Sequence, residues 1–432
     1  MTEYPVWDSL LPPSAHGRDS HRIVRVSGNR AVFADGVDAI DGTSGLWNVN
    51  LGYGNEAIAA AITGAVRDAS YMSLFRRTHD YAIEAAAALI EAAGPARYSR
   101  VLFSTSGSSA NDAMMKLARH HALLRGDTHR KVIVGLEGSY HGQTYGSFTL
   151  SGDDLSQHLY GVDTSLIRHV KHDDPAAMRA LLTEIGDQVA AVVIEPVLGT
   201  GAHVVPAEMI STLLELRREH GFLLVCDEVA FGFGRSGSLF GSDRWAESPD
   251  LLVTSKGLTN GTCAASAILV GHSVFAEFAK ADAMFVHGET QAGTPASCAA
   301  IVATLQQFDE LHALESGARV AKLLEEGLKD LVDRVELAVE VTGAGCFRGL
   351  GLRAANGAEL WPLHITKILS RIRDRGAVVQ GGPSSIELIP PLTCTEDEVG
   401  ELLRAVELGL ADFTAERQAK RARVRPSSSP AR

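Results

Sequence analysis

The fold is indicated most clearly by one short stretch, Leu251-Leu252-Val253-Thr254-Ser255-Lys256-Gly257, in which an unbroken apolar run ends in small polar residues and a lysine. Such a run is typical of a strand covered by helices on both faces. Similar runs recur along the chain at 101–103, 132–134, 190–194, 222–226 and 267–270, with helix-like segments at 108–125, 175–186 and 207–220. This alternation predicts βαβ crossovers and an α/β fold with a mostly parallel central sheet.

The pattern changes on both sides of this unit. Helices are predicted at 56–66, 81–93, 315–332, 364–376 and 395–414, and a strand at 336–342. We therefore predict four parts: an N-terminal segment over 1–55 that joins the small domain, a large domain over 56–310, a smaller α+β domain over 311–414, and a disordered basic tail over 415–432. A phosphate-binding arm is the alternative for the tail.

Composition and charge exclude several classes of protein. The 432 residues include 52 acidic and 40 basic side chains, and a net charge of −12 argues against nucleic-acid binding. No apolar run approaches the about 20 residues that span a bilayer, so no membrane segment is predicted. The five cysteines are scattered without a Cys-x-x-Cys pair, which predicts a reduced, cytoplasmic protein without a metal site.

Polar residues follow the predicted strands, at the edge where α/β sheets bind ligands. Ser104-Thr105-Ser106-Gly107-Ser108-Ser109-Ala110-Asn111 opens a helix, whose free backbone N–H groups suit a phosphate, although a serine-rich cap without a ligand has the same pattern. Gly138-Ser139-Tyr140-His141-Gly142 presents an aromatic ring that can cover a planar ligand. Glu195 and Asp227 each follow a buried strand, where a charge needs a partner or a role.

Lys256 is the strongest single indication of chemistry. A lysine that closes an apolar strand among small residues is expected to be desolvated, which lowers its pKa, although a lysine reaching solvent is the common alternative. Pyridoxal phosphate (PLP) needs a lysine for a Schiff base, a carboxylate at the ring nitrogen and a helix dipole at the phosphate. The strand ends together therefore predict a PLP site.

With these motifs in place, the chain resembles the class III PLP-dependent aminotransferases of fold type I, which include the ω-amino-acid:pyruvate, ornithine and 4-aminobutyrate transaminases. The resemblance runs from Gly45-Leu46-Trp47-Asn48-Val49-Asn50-Leu51-Gly52-Tyr53-Gly54 to Pro390-Pro391-Leu392. It implies that Lys256 forms the Schiff base with PLP and moves the α-proton as catalytic base. It also implies that Asp227 keeps the ring nitrogen protonated.

The resemblance also assigns the remaining cofactor-binding residues. Gly107 and Ser108 would hold the phosphate, Tyr140 would stack on the ring with His141 beside it in the same loop, Val229 would pack beneath the ring, and Glu195 would support the aspartate. Thr290, in His287-Gly288-Glu289-Thr290, matches a threonine that reaches the phosphate of the neighbouring subunit. The resemblance therefore implies an obligate homodimer with shared active sites.

Departures from the family pattern bear on the substrate. Gln143 and Gln380 stand where branches of the family place carboxylate-binding arginines, and a neutral amide cannot form the charged, bidentate contact. This predicts an acceptor without a carboxylate next to the reacting carbon, such as a ketone or an aldehyde. Trp47, Tyr71 and Phe75 match pocket-forming aromatics of the ω-transaminase branch, with structural core as the alternative. Arg348, Arg76 and Arg77 are the candidates for anchoring a donor carboxylate.

The function implied is a ping-pong transfer of an amino group, through pyridoxamine phosphate, from an amine or amino-acid donor to a ketone or aldehyde. The sequences at 10–14, 255–261 and 287–295 resemble those of class III aminotransferases from daptide-type gene clusters, which belong to the biosynthesis of ribosomal-peptide natural products. This resemblance implies that the acceptor is a ketone at the C-terminus of a peptide. The alternatives are an ω-amino-acid:pyruvate-type transaminase of small-molecule amines and a same-fold aminomutase or decarboxylase. A non-catalytic scaffold is a further alternative, but it would not need Lys256 and Asp227.

Overall fold

The structure is a computed structural model that describes residues 4–424, with side chains to residue 419. The strands are β1 (Ile23–Ser27), β2 (Arg30–Phe33), β3 (Asp38–Asp41), β4 (Tyr98–Ser104), β5 (Val132–Leu136), β6 (Ile167–Val170), β7 (Val189–Ile194), β8 (Val197–Leu198), β9 (His203–Val204), β10 (Leu223–Asp227), β11 (Leu251–Thr254), β12 (Ser266–Gly271), β13 (Ala338–Ala344), β14 (Phe347–Leu352), β15 (Ala377–Val378), β16 (Gln380–Gly382) and β17 (Ser385–Leu388). The helices are α1 (Ser44–Trp47), α2 (Glu56–Ala69), α3 (Asp80–Ala93), α4 (Gly107–Leu124), α5 (Tyr145–Leu150), α6 (Pro175–Ile185), α7 (Ala207–His220), α8 (His272–Ala281), α9 (Pro295–Glu310), α10 (Ala313–Arg334), α11 (Pro362–Asp374) and α12 (Glu396–Val424).

A seven-stranded sheet in the order β4-β12-β11-β10-β7-β5-β6 forms the centre of the protein. Only β12 runs antiparallel to its neighbours, β11 and β4, so the carboxyl ends of the other six strands meet at one edge. Helices α4 and α8 cover one face and α6 and α7 the other, which buries the apolar runs on both sides. The predicted α/β fold with a mostly parallel central sheet is confirmed.

The two ends of the chain meet beside this sheet. Strand β15 pairs in parallel with β3, which joins the N-terminal sheet β1-β2-β3 to the C-terminal part. An antiparallel sheet in the order β13-β14-β17-β16 follows, and α10, α11 and α12 pack near it. The division of the chain into domains at 55, 310 and 414 stays a prediction.

Helix α12 is longer than the helix predicted at 395–414. Helix α12 continues through Val424, so the prediction of a disordered tail is wrong for residues 415–424. The residues after Ala415 include glutamate, arginine, glutamine, lysine and alanine, which all favour a helix. The rest of the predicted tail, 425–432, lies outside the described residues. Among residues 4–424, no helix has the length and apolar character needed to cross a bilayer.

Candidate active site

A cavity of about 430 Å³ lies at the edge of the sheet where the parallel strands end. It is lined by residues from several strand ends, which the chain folds together because their strands are neighbours in one sheet. The predicted residues at this cavity are Trp47, Gly107, Ser108, Tyr140, His141, Glu195, Asp227, Val229 and Lys256. The structure therefore gathers residues from 47 to 256 in the sequence at one site.

Lys256 lies in the turn that follows β11, with a left-handed backbone angle φ of 47°. Its Nζ lies 4.4 Å from the centre of the Trp47 ring, and it forms no ion pair within the described residues. Burial lowers the pKa of Lys256 to about 8, while the negative charges of Glu195 and Asp227 oppose part of this shift. About a tenth of the amine is therefore uncharged at pH 7, far more than for a lysine of ordinary pKa, and the uncharged form is the nucleophile.

Asp227 ends β10 and is 2% exposed. Its Oδ2 accepts hydrogen bonds of 2.7 Å from both Asn111 Nδ2 and His141 Nδ1, and its Oδ1 accepts one of 3.0 Å from Val229 N. Burial alone would lower the pKa of His141, but the hydrogen bond and charge of Asp227, with the charge of Glu195, raise it. These three hydrogen bonds thus fix the orientation of the carboxylate.

Asn111, which the sequence identifies only as the last residue of the helix-opening run, contacts Asp227 in the structure. It lies one helical turn after Gly107, at 1% exposure, and its Nδ2 also donates to the His141 carbonyl at 3.0 Å. The available signal was its i, i+4 spacing from Gly107, which places it on the same face of α4. The Oδ1 of Asn111 and the Nε2 of His141 are buried without a hydrogen-bond partner in the described residues. Buried polar atoms normally have partners, so these two favour a bound ligand or water at this site.

The start of α4 leaves backbone N–H groups free at the cavity. Ser106 caps this 18-residue helix by accepting a hydrogen bond of 3.1 Å from Ser109 N, and no hydrogen bond among the described residues takes the N–H groups of Gly107 and Ser108. These free N–H groups and the helix dipole favour a phosphate. A Cβ atom on Gly107 would lie 2.9 Å from Val229 Cγ1, so only glycine lets Val229 approach the helix so closely.

Glu195 holds the loop that carries Tyr140. It follows β7 at 3% exposure, and its Oε2 accepts a hydrogen bond of 2.9 Å from Tyr140 N, while Oε1 accepts one of 3.3 Å from Gly199 N. Burial raises the pKa of Glu195 to about 7. The carboxyl group therefore ties the backbone of Tyr140 to that of Gly199, and Tyr140 forms part of the cavity wall.

Three predicted residues lie together but away from the cavity of their own chain. The Tyr71 hydroxyl donates a hydrogen bond of 2.9 Å to the Thr290 carbonyl, and a Cβ atom on Gly288 would lie 2.9 Å from the Phe75 ring. None of these residues lines the cavity. Their roles in PLP and substrate binding stay predictions, because the predicted arrangement places Thr290 in the active site of a second subunit.

The two glutamines at the expected arginine positions also lie outside the cavity lining. Gln143 is exposed and its N–H donates to Ser108 Oγ at 3.2 Å, and Gln380 pairs with Glu387 across β16 and β17. Arg348 is held by Glu325 Oε2 at 2.7 Å and by two backbone carbonyls. No arginine lines the cavity within the described residues.

The arrangement fits PLP on its own chemistry. Three features line one cavity: a desolvated amine on Lys256, a fixed carboxylate on Asp227, and the free N–H groups of Gly107 and Ser108. These match the aldehyde, the ring nitrogen and the phosphate of PLP, respectively. Val229, which packs closely against Gly107, and the ring of Tyr140 form further cavity walls that suit a planar ring.

Comparisons with known proteins agree with this chemistry. Residues 14–410 match the family model of the class-III aminotransferases. The chain is 27% identical over 433 residues to an omega-aminotransferase of Caulobacter vibrioides, covering 94% of this chain and 97% of the relative. It is 27% identical to a putrescine–pyruvate aminotransferase of Pseudomonas aeruginosa, covering 92% of each chain. Its fold matches the PLP-bound amine transaminase of an uncultivated Pseudomonas species with a TM-score of 0.88, at 31% identity and coverage of 95% and 99%.

Proposed function

Because the chain belongs to the class III aminotransferases, we propose that it uses PLP to transfer an amino group from an amine or amino-acid donor to a ketone or aldehyde, in two half-reactions. The observation that carries this proposal is the desolvated Lys256 amine in the same cavity as the fixed carboxylate of Asp227. A lysine nucleophile and a carboxylate at the ring nitrogen are the two groups that PLP chemistry requires of its protein.

When bound, PLP supplies an electron-withdrawing ring that stabilises negative charge on the carbon next to the amino group. Lys256 would bond to the cofactor aldehyde and, when free, accept and return the proton at that carbon through Nζ. Asp227 would keep the ring nitrogen protonated, since Asn111 and His141 hold its Oδ2 in place at 2.7 Å. The N–H groups of Gly107 and Ser108 would bind the phosphate.

The side walls of the cavity support an acceptor that lacks a carboxylate beside its carbonyl. Apolar groups of Leu46, Trp47, Ala230, Ala264 and Ala265 line the cavity, and no arginine does so in the described part of the chain. Without a guanidinium, a carboxylate would lose hydration without a charged partner. The proposed acceptors are therefore ketones and aldehydes, including a peptide that ends in a ketone.

A homodimer with shared active sites is part of this proposal. Large apolar side chains are exposed near the Thr290 segment, which a monomer in water would not favour as a patch. These are Tyr71 (45% exposed), Met72 (38%), Phe75 (53%), Met284 (73%) and Val286 (69%). In the dimer, Thr290 would reach the partner's phosphate site, and Tyr71 and Phe75 would line the partner's substrate pocket.

The test has two stages. Purified protein is reduced with borohydride, and the labelled peptide is identified by mass spectrometry; the label is expected on Lys256 and not on the exposed Lys280. A donor and acceptor screen then compares pyruvate with simple ketones, aldehydes and a peptide bearing a C-terminal methyl ketone. We expect turnover with the carbonyls that lack a carboxylate. A colourless protein without label on Lys256 would contradict the PLP proposal, and use of keto acids alone would contradict the acceptor class.

A same-fold aminomutase or decarboxylase is distinguished by adding one substrate at a time. A transaminase given a donor without an acceptor stops after one equivalent per active site, because the amino group has no carbonyl to receive it. A mutase or decarboxylase continues to turn over. The amount of product formed in the absence of acceptor therefore decides between these activities.

A further inference from the structure

Arg235 is a buried arginine, and the charge of Asp41 acts on it without forming an ion pair. Its side chain is 0% exposed, and it forms no ion pair with any described residue. Its Nη1 donates to the Pro390 carbonyl at 2.5 Å and its Nη2 to Asn50 Oδ1 at 2.9 Å, while its Nε has no partner in the described residues. Burial lowers the pKa of Arg235 to about 10, so the guanidinium stays charged at neutral pH. An unpaired buried charge is costly, which calls for a role that repays the cost.

The two hydrogen-bond acceptors of Arg235 belong to two loops, and the Asn50 loop lies against the turn that carries Lys256. Asn50 Nδ2 donates to the Phe233 carbonyl at 2.6 Å, and a Cβ atom on Gly257 would lie only 2.8 Å from that Nδ2. The Asn50 amide therefore lies against the residue that follows Lys256. The Asn50 carbonyl also accepts a hydrogen bond of 2.8 Å from Leu392 N, so the Asn50 and Pro390 loops are joined to each other. The Arg235 guanidinium, which donates to both Asn50 and Pro390, holds these two loops together.

We propose that Arg235 is a positioning residue for Lys256. It holds the Asn50 and Pro390 loops together beside the turn that carries Lys256, and its positive charge favours the uncharged form of the Lys256 amine. The charge acts through a dry interior, where like charges repel over longer distances than in water. Four influences set the pKa of Lys256: burial lowers it most, the charges of Glu195 and Asp227 oppose that lowering, and the charge of Arg235 adds to it. The inference rests on the proposed covalent role of Lys256.

Charge and hydrogen bonding are separated by two substitutions. Arg235→Met removes the charge and the hydrogen bonds at similar length, whereas Arg235→Lys keeps the charge and loses the two-pronged contact. The control is Arg130→Met, because Arg130 is also held by backbone carbonyls, those of Gly186, Val189 and His220, while its Nε lies 3.4 Å from Asp127 Oδ2. Arg130 does not line the cavity.

The readout is the pH at which Lys256 becomes reactive. Cofactor-free protein is treated with a trace of an amine-acylating reagent across pH 6–11, and labelling of the Lys256 peptide is quantified by mass spectrometry. In Arg235→Met the midpoint is expected to rise, by about 0.5 pH unit, because a positive charge is removed from the buried surroundings of the amine. Arg235→Lys and Arg130→Met are expected to keep the midpoint of the parent protein. The pH dependence of the visible absorbance band of the holoenzyme should rank the three variants in the same order as the labelling midpoints.

Two results would overturn the inference. If Arg235→Met melts at a lower temperature but keeps the parent midpoint, Arg235 is merely structural. If Arg235→Lys shifts the midpoint as far as Arg235→Met does, the charge is not the cause. Because labelling of cofactor-free protein does not require PLP, failure of this test is distinct from failure of the borohydride test of the proposed function.

Discussion

Replacement of Asp227 by asparagine is expected to lower both stability and turnover, by separate causes. Two donors, Asn111 Nδ2 and His141 Nδ1, point at Oδ2, and a third, Val229 N, points at Oδ1. An asparagine has one oxygen, so its NH₂ group must face at least one of these donors. A buried donor left without an acceptor costs about 1–3 kcal/mol, and the lost negative charge weakens the remaining hydrogen bonds further. We expect a loss of about 2–4 kcal/mol in the unfolding free energy of the cofactor-free protein.

Turnover should fall because a neutral amide no longer holds a proton on the ring nitrogen. Loss of one preorganised charged contact in an active site commonly costs about 10²–10³-fold in rate, and we expect at least that reduction in kcat. The unfolding free energy is measured in urea, and kcat is measured from steady-state product formation with saturating donor and acceptor. Glu228→Gln is the matched control, since Glu228 is the adjacent buried carboxylate, accepts from Gly241 N at 2.6 Å and Ser242 N at 2.8 Å, and does not line the cavity. Equal kcat losses in both variants would refute the reasoning.

The remaining predictions concern the lysine and the Gln380 strand. Lys256→Ala should remove the visible absorbance while the unfolding midpoint changes little; retention of the band with full turnover would contradict the assignment. Gln380→Arg should change the kcat/KM for keto acids little, because Glu387 lies directly opposite in register and would pair with the new guanidinium; adding Glu387→Gln should free the arginine and raise keto-acid use, and no gain in the double variant would exclude position 380 from carboxylate binding. Burial raises the pKa of Glu387 to about 7, so its stabilising effect is present below pH 4.5 and is lost as the pH rises through 7. Relative to Glu387→Gln, the unfolding free energy of the parent should fall by about 3 kcal/mol across that window, and parallel pH profiles in urea would contradict this.

The sheet could be predicted because its strands are apolar without interruption. The run at 190–194, for example, lies within β7, Val189–Ile194, because helices cover both faces and no position needs a polar residue. The direction of a strand has no such signature. The run at 267–270 is as apolar as its neighbours, yet β12 is antiparallel to both strands beside it. Direction depends on where the chain crosses the sheet, which local composition does not encode.

Site residues that follow a strand were predictable, and those whose partners are distant were not. Asp227 and Lys256 stand out as charges at the ends of apolar runs. Asn111 lies inside an ordinary helix, and its partner Asp227 is 116 positions away, so only the fold reveals the pair. Arg235 lies in a glycine-rich segment and its acceptors are near 50 and 390, so its burial had no local signal. Arg348, a candidate carboxylate anchor, is instead bound to Glu325, a contact fixed by tertiary packing.

The hydrogen bond between Tyr71 and Thr290 links two contributions that the proposed dimer makes to its partner's site. Since the phenol of one loop is tied to the backbone of the threonine that would bind phosphate, separation of the subunits would withdraw a pocket wall and a cofactor contact in one event. Dilution would then weaken retention of PLP and affinity for the carbonyl substrate together, through mass action. The protein would lose its colour and its specificity over the same range of concentration.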